Sequence, residues 1–221
     1  MSFLCIGTSE KLHYAAALAH YSRARFIANL LPLLQKATTL RRVVSIYAGT
    51  KEGQVEADDI QGWKIPFASM RNHMASVLTL TMTRFAEEAP VVSFVQDFPG
   101  LVKSGIWRGT TGAARVFTVL FKVLGPLFNV APEEVAERHL FYATSWRFPP
   151  ATDAGSSSTD GVARGVDGKS GSGVYTLDNS SEEGGDATVK LLTDLRSQGY
   201  VDKIWKDLTE QFVRITGAEV I

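Results

Sequence analysis

The chain has 221 residues, 45% of them hydrophobic and 21% charged, the composition of an ordinary globular protein with room for one substantial core. Its 23 basic and 23 acidic residues balance, which excludes the cationic surplus a nucleic-acid binder needs to offset phosphate charge. A single cysteine, Cys5, excludes an internal disulfide and a multi-cysteine zinc site, and His13, His20, His73 and His139 stand at no metal-ligand spacing.

The first residues are apolar and then small. A long helix is expected from Ser9, acting as its N-cap, to about residue 37. Leu12, Ala16, Ala19, Leu30 and Leu34 recur there at helical spacing, and Pro32 should tighten or kink the last turns. Residues 42–48 are rich in β-branched side chains and stop at Gly49, which predicts a short buried strand. Residues 49–65, with Lys51, Glu52, Asp58 and Asp59, read as an exposed polar loop. The helix that follows, at 66–88, places Phe67, Met70, Met74, Val77, Leu78 and Phe85 along one face, and Ala89 and Pro90 close it. A second strand is predicted at 91–95. Two strands with a helix between them are expected to be parallel neighbours joined by a crossover.

Residues 97–112 form a loop with glycines at 100, 105, 109 and 112, and a helix is expected at 113–124. The longest apolar run, 116–130, contains Lys122 and the Gly125–Pro126 break, so it is too short and interrupted to span a bilayer. The N-terminus has no basic segment followed by a long apolar one, so no secretory signal is read and a cytoplasmic location is expected. Pro132, Glu133 and Glu134 mark a helix start, with two carboxylates at the positive end of the dipole. Residues 149–173 are mostly small or polar and are expected to form a mobile loop, and 174–177 a short last strand. Helices within 186–217 finish the chain, the last with Val201, Ile204, Trp205, Leu208, Phe212 and Ile215 on one stripe.

The order of these pieces carries a resemblance. The helix ending at Leu30–Leu33, the strand reaching Gly49, the strand before Pro99 and Gly100, the helix from Pro132 to Ala136 and the strand from Gly173 to Leu177 together resemble short-chain dehydrogenases/reductases. They are most similar to the divergent fungal reductase-like members found with secondary-metabolite pathways. The resemblance runs over about residues 15–178. It implies an α/β fold: a partial doubly wound (Rossmann-like), mainly parallel sheet flanked by helices, with extra C-terminal helices. One domain would cover 1–221, with its core at about 9–178. It also implies NAD(P)(H) as cofactor and a small-molecule carbonyl or alcohol as substrate.

Three features depart from the family pattern. The family holds the cofactor's pyrophosphate on a glycine-rich turn after its first strand; no such turn occurs in this sequence, and the family's first strand–helix–strand–helix portion is expected to be absent. The family's Tyr-x-x-x-Lys pair falls on Phe67 and Arg71, so the proton-carrying hydroxyl is missing while a positive charge stays. The family's serine falls near Tyr47 and Ala48, with Ser45 just before, and its asparagine near Ala19 and His20.

Ser45, Tyr47 and Arg71 are therefore the candidate site residues. Each also has an ordinary role: Tyr47 as a strand aromatic, Arg71 as a solvated helix arginine. His20 and His73 fit packing positions, Met70, Met74 and Met82 fit adaptable core filling, and Asp58, Asp59, Glu182 and Glu183 fit solvated loop charge. Two functions are consistent with these residues. One is an oxidoreductase of the family's kind; the other is a shortened, catalytically silent relative acting as a binding or interaction protein, or a partial gene product. A sheet without its first half would also expose an edge that invites self-association.

Overall fold

The computed structural model describes residues 6–102, 129–153 and 160–218. At its centre lie three parallel strands in the order β1 (Arg42–Ile46), β2 (Ser93–Asp97) and β3 (Val174–Leu177). Val44, Val95 and Tyr175 stand side by side across the sheet. β2 and β3 are buried at every residue, including the polar Ser93, Gln96, Asp97 and Thr176. This is a three-stranded portion of a Rossmann-like sheet, with helices on both faces.

The first helix, α1, begins as α-helix at Tyr14–Ala16, passes through a π-helical turn at Ala17–Tyr21, and continues as α-helix over Ser22–Lys36. The start expected at Ser9 is corrected: Lys11 has φ of 60°, which no helix accommodates, and the Leu12 N–H is bonded to Thr8 Oγ1 at 3.2 Å. Pro32 is carried within the helix, which continues to Lys36. The π turn leaves no periodicity signal in so short a stretch.

Helix α2 (Phe67–Glu88) is enclosed along most of its length, from His73 to Ala86. That explains its weak amphipathic pattern, and its buried hydroxyls are satisfied locally: Thr81 donates to the Val77 carbonyl at 2.9 Å and Thr83 to that of Thr79 at 3.1 Å. The strand expected at 91–95 instead occupies Ser93–Asp97, because Ala89–Val92 is used in a turn in which the Val92 N–H meets the Ala89 carbonyl at 2.9 Å. Asp97, read from sequence as the start of a loop, is thus the last buried residue of the central strand.

Helix α3 (Pro132–Thr144) lies on the opposite face of the sheet, over a smaller core of Val95, Tyr142, Phe148, Ala163, Tyr175 and Leu177. The main core is on the other face, under α1, α2, α4 (Asp186–Ser197) and α5 (Tyr200–Thr216). The stripe predicted on the last helix buries Ile204, Leu208 and Phe212, and Trp205 meets Phe85 edge to face at 5.1 Å between centroids. The Tyr21 hydroxyl donates to the Asp207 carboxylate and so ties the π turn of α1 to α5. Glycine is required at 199 and 217, where φ is 75° and 72°, to turn the chain at each end of α5.

Residues 160–173, which composition assigns to a mobile loop, lie along β3: Ala163, Val166 and Gly171 are buried, and the Val166 N–H donates to the Val174 carbonyl at 3.0 Å. Glu183, read as loop charge, pairs with Arg147 at 2.5 Å. The helix expected at 113–124, most of the apolar run at 116–130 and the glycines at 105, 109 and 112 lie outside the described residues. No described helix is long and apolar enough to cross a membrane.

The two edges of the sheet differ. Segments 163–166 and 182–184 cover the outer side of β3, with bridges such as Gly184 N–H to the Thr176 carbonyl at 3.0 Å. Among the described residues, no hydrogen bond reaches the outward N–H and C=O groups of Arg42, Val44 and Ile46 on β1. The helices that pack on β1 from its two faces both expose apolar side chains: Phe26 and Leu33 on α1, 70% and 65% accessible, and Leu140 on α3, 64%. Concentration-dependent self-association is the expected outcome. Light scattering over a range of concentrations tests it, and a constant monomer mass would contradict it.

Candidate active site

β1 delivers Ser45, Ile46 and Tyr47 to the carboxyl end of the sheet, where open α/β sheets bind their ligands. Ser45 is buried and its Oγ accepts a hydrogen bond from Arg23 Nη1 at 3.2 Å. Tyr47, half-buried, still belongs to the ladder through its N–H, which meets the Asp97 carbonyl at 2.7 Å. The Arg23 guanidinium lies 5.6 Å from the centre of the Tyr47 ring. Burial raises the Tyr47 phenol above its ordinary range, while Arg23 and then Arg71 pull it back. Arg71, one turn into α2, is exposed, with its Cζ 5.9 Å from the centre of the Phe98 ring and its Nε donating to Asn72 Oδ1 at 3.2 Å. The three residues singled out from sequence are thus brought to one rim, with Arg23 joining them from α1. Phe67, by contrast, is 72% accessible and makes no polar contribution.

After Tyr47 the chain crosses the ends of the strands. Gly49 permits this: a Cβ there would lie 2.4 Å from both the Gln96 and the Leu177 carbonyl oxygens. The crossing is locked by Glu52, which sequence reading placed in an exposed loop. Glu52 Oε1 accepts from Thr176 Oγ1 at 2.7 Å, Thr79 Oγ1 at 2.9 Å and Gln96 Nε2 at 3.4 Å, and Oε2 is buried without a hydrogen-bond partner. Burial pushes this carboxyl above its usual range, against the pull of those hydroxyl donors. Gly53 completes the lock, its N–H reaching Ser76 Oγ at 2.9 Å. A cleft of about 600 Å³ opens beside it at the start of α2, lined by Glu56, Asp59, Lys64, Asn72 and His73 among others. His73 is committed to structure, with Nε2 at 3.0 Å from the Ile60 carbonyl. Met70, Met74 and Met82 are core.

On the α3 side of the same strand ends, buried Asp97 accepts from His139 Nε2 at 2.7 Å through Oδ2, while Oδ1 has no partner. Burial raises the Asp97 carboxyl and the His139 hydrogen bond opposes the rise. Nothing in sequence spacing links these two residues. Gly49 and Gly53, where a Cβ would meet other atoms at 2.4 and 2.8 Å, mark a closely packed crossing on either side of Glu52. Among the described residues no cluster of three or more metal-ligating side chains occurs.

β1 ends at the position of the family's serine, so the turn after it is not the family's pyrophosphate turn; that turn holds the buried Glu52 carboxylate, and the described residues carry no glycine-rich strand-to-helix turn to receive a pyrophosphate.

Comparison with known proteins agrees with the fold. The oxidoreductase AN1596 of Emericella nidulans is 35% identical over 220 residues, covering 93% of this chain and 63% of its own length. Oxidoreductase andH of Emericella variicolor is 31% identical over 220 residues, covering 96% of this chain and 64% of its own. The short-chain dehydrogenase/reductase SAT2 of Stachybotrys chartarum is 31% identical over 182 residues, 77% of this chain and 50% of its own. No protein-family profile and no solved structure matches. The chain is accordingly similar to fungal oxidoreductases, one of them a short-chain dehydrogenase/reductase, and it spans a little under two thirds of the length of AN1596 and andH.

Proposed function

We propose that these residues form the substrate-facing portion of an NAD(P)(H)-dependent carbonyl or alcohol oxidoreductase, in keeping with the resemblance to fungal secondary-metabolite reductases. The observation that carries this is the convergence of Ser45, Tyr47, Arg23 and Arg71 at the carboxyl end of the sheet. Tyr47 then supplies the hydroxyl that Phe67 lacks, placed to hydrogen-bond a substrate oxygen. Ser45 and Arg23 fix its surroundings. The second reading, a catalytically silent binding relative, is favoured by the exposed Phe67 at the place of the family's tyrosine.

Titration calorimetry with NADH and NADPH, followed by nicotinamide absorbance with a panel of ketones, separates the two. This chain by itself is expected to bind either cofactor weakly and to show no turnover at a family-like rate. Micromolar binding with steady turnover would overturn that expectation. In that event Tyr47→Phe should lower the rate by about 10²–10⁴-fold, the usual range for a positioned proton donor. An unchanged rate would remove Tyr47 from the site.

A further inference from the structure

We propose that Arg23, Lys51 and Arg71 form a subsite for an oxyanion, a carboxylate or phosphate group carried by the substrate, walled by the rings of Tyr47 and Phe98. This rests on the reading of the site given above and extends it to the substrate's class. Lys51 sits on the crossing loop with its Nζ 5.4 Å from the centre of the Phe98 ring, and Arg71 Cζ is 5.9 Å from the same centre. Arg23 Cζ is 5.6 Å from the centre of the Tyr47 ring. Cations and rings therefore alternate around the rim: Lys51, Phe98, Arg71, Tyr47, Arg23. Three elements contribute them, α1, α2 and the loop after β1, together with the two strand ends.

Among the described residues, no carboxylate lies within ion-pair distance of any of the three cations. The adjacent Glu52 points away, into Thr79 and Thr176. Arg23 is already oriented, its Nε donating to the Leu18 carbonyl at 3.2 Å and its Nη1 to Ser45. Three like charges with no carboxylate in ion-pair contact, Lys51 alone being felt by the buried Glu52, raise the local potential at the rim, which favours an anion there. The guanidinium forks match a planar carboxylate or a phosphate edge. The ring faces favour a ligand whose anionic group is joined to an unsaturated or apolar body.

The test is calorimetric titration of the chain, without cofactor, with benzoate, acetate and inorganic pyrophosphate at low and high salt. Benzoate is expected to bind more tightly than acetate, and its affinity should fall as salt rises. Tighter binding of pyrophosphate than of benzoate would identify the oxyanion as phosphate and keep the subsite. Arg71→Gln and Lys51→Gln alter exposed or half-exposed side chains outside the core, so they should fold normally, as a thermal melt verifies. Each should weaken binding of the preferred anion by about tenfold or more, in line with a charge-assisted hydrogen bond. Phe98→Leu should narrow the gap between benzoate and acetate. No saturable binding by any of the three probes, or binding that both Gln variants leave unchanged, would overturn the proposal. Because no hydride is transferred in these titrations, their failure is distinct from failure of the oxidoreductase reading.

Discussion

His20→Met is expected to stabilise the protein by about 1–3 kcal/mol near neutral pH and by more in mild acid. His20 is fully buried in the π turn of α1, and neither ring nitrogen has a hydrogen-bond partner. Burial, with a smaller push from His73, lowers its pKa from 6.5 to about 3. The folded state therefore keeps His20 neutral while the unfolded chain takes up a proton below 6.5. Stability is full above that value and falls as pH drops, at about 1.4 kcal/mol per pH unit, until the folded pKa is reached. Over the whole window the loss is on the order of 5 kcal/mol, comparable to the total stability of a small domain. His73, lowered by its own burial, acts in the same direction. Glu52, Asp97 and Asp207, raised chiefly by burial, oppose it, because a carboxyl with a raised pKa gains stability as pH falls through that value. Urea unfolding of the wild type and the variant near pH 7 and near pH 5 isolates the His20 contribution. Equal pH slopes in the two proteins would refute this account.

Arg42→Met is expected to destabilise by about 3–5 kcal/mol, since charge-assisted bonds contribute more than neutral ones and the abandoned acceptors are shielded. The Arg42 guanidinium leaves β1 and donates to three carbonyls at the end of α3: Tyr142 and Ser145 at 2.7 Å each, and Phe148 at 2.5 Å. Its Cζ also lies 5.9 Å from the centre of the Phe148 ring. A positive charge at a helix C-terminus complements the dipole, and here one planar fork gathers the last turn of α3 and the segment after it. Arg42→Lys should recover only part of the loss, because a single ammonium cannot meet all three oxygens in that plane. Denaturant midpoints give the magnitude, and amide exchange should show the end of α3 opening first. A loss under about 1 kcal/mol would mean that water replaces the guanidinium without penalty.

The contrast between these two residues shows what the sequence could convey. β-Branched runs and the proline-led start at Pro132 state their structure locally, so the parallel β1–β2–β3 arrangement and α3 were legible. Ser45, Tyr47 and Arg71 were singled out through the order of elements, which sets strand ends and helix starts against each other. Arg42, Glu52, Asp97 and His139 were not, because each finds its partner far along the chain, as Arg42 does with Phe148 and Glu52 with Thr176. Polar residues in a strand or loop carry no mark of which distant carbonyl or hydroxyl they will meet. The π turn was hidden for a different reason: one added residue shifts the helical phase, and the apolar pattern absorbs the shift without a break.

Among the described residues, the β1 border of the sheet is the one left uncovered, and Tyr47 stands at that border. As described, the rim rests on the crossing loop that Glu52 anchors from below, and has one wall, made by Phe98 and the start of α2. On the β1 side no described residue closes it. A strand–helix unit laid alongside β1 would put a second wall opposite Phe98, turning a shallow ledge into a crevice from which water is displaced. Charges that are mild on a ledge act more strongly in such a crevice, since the surrounding dielectric falls. The chemistry of Arg23, Tyr47 and Arg71 is thus governed by whatever extends the sheet.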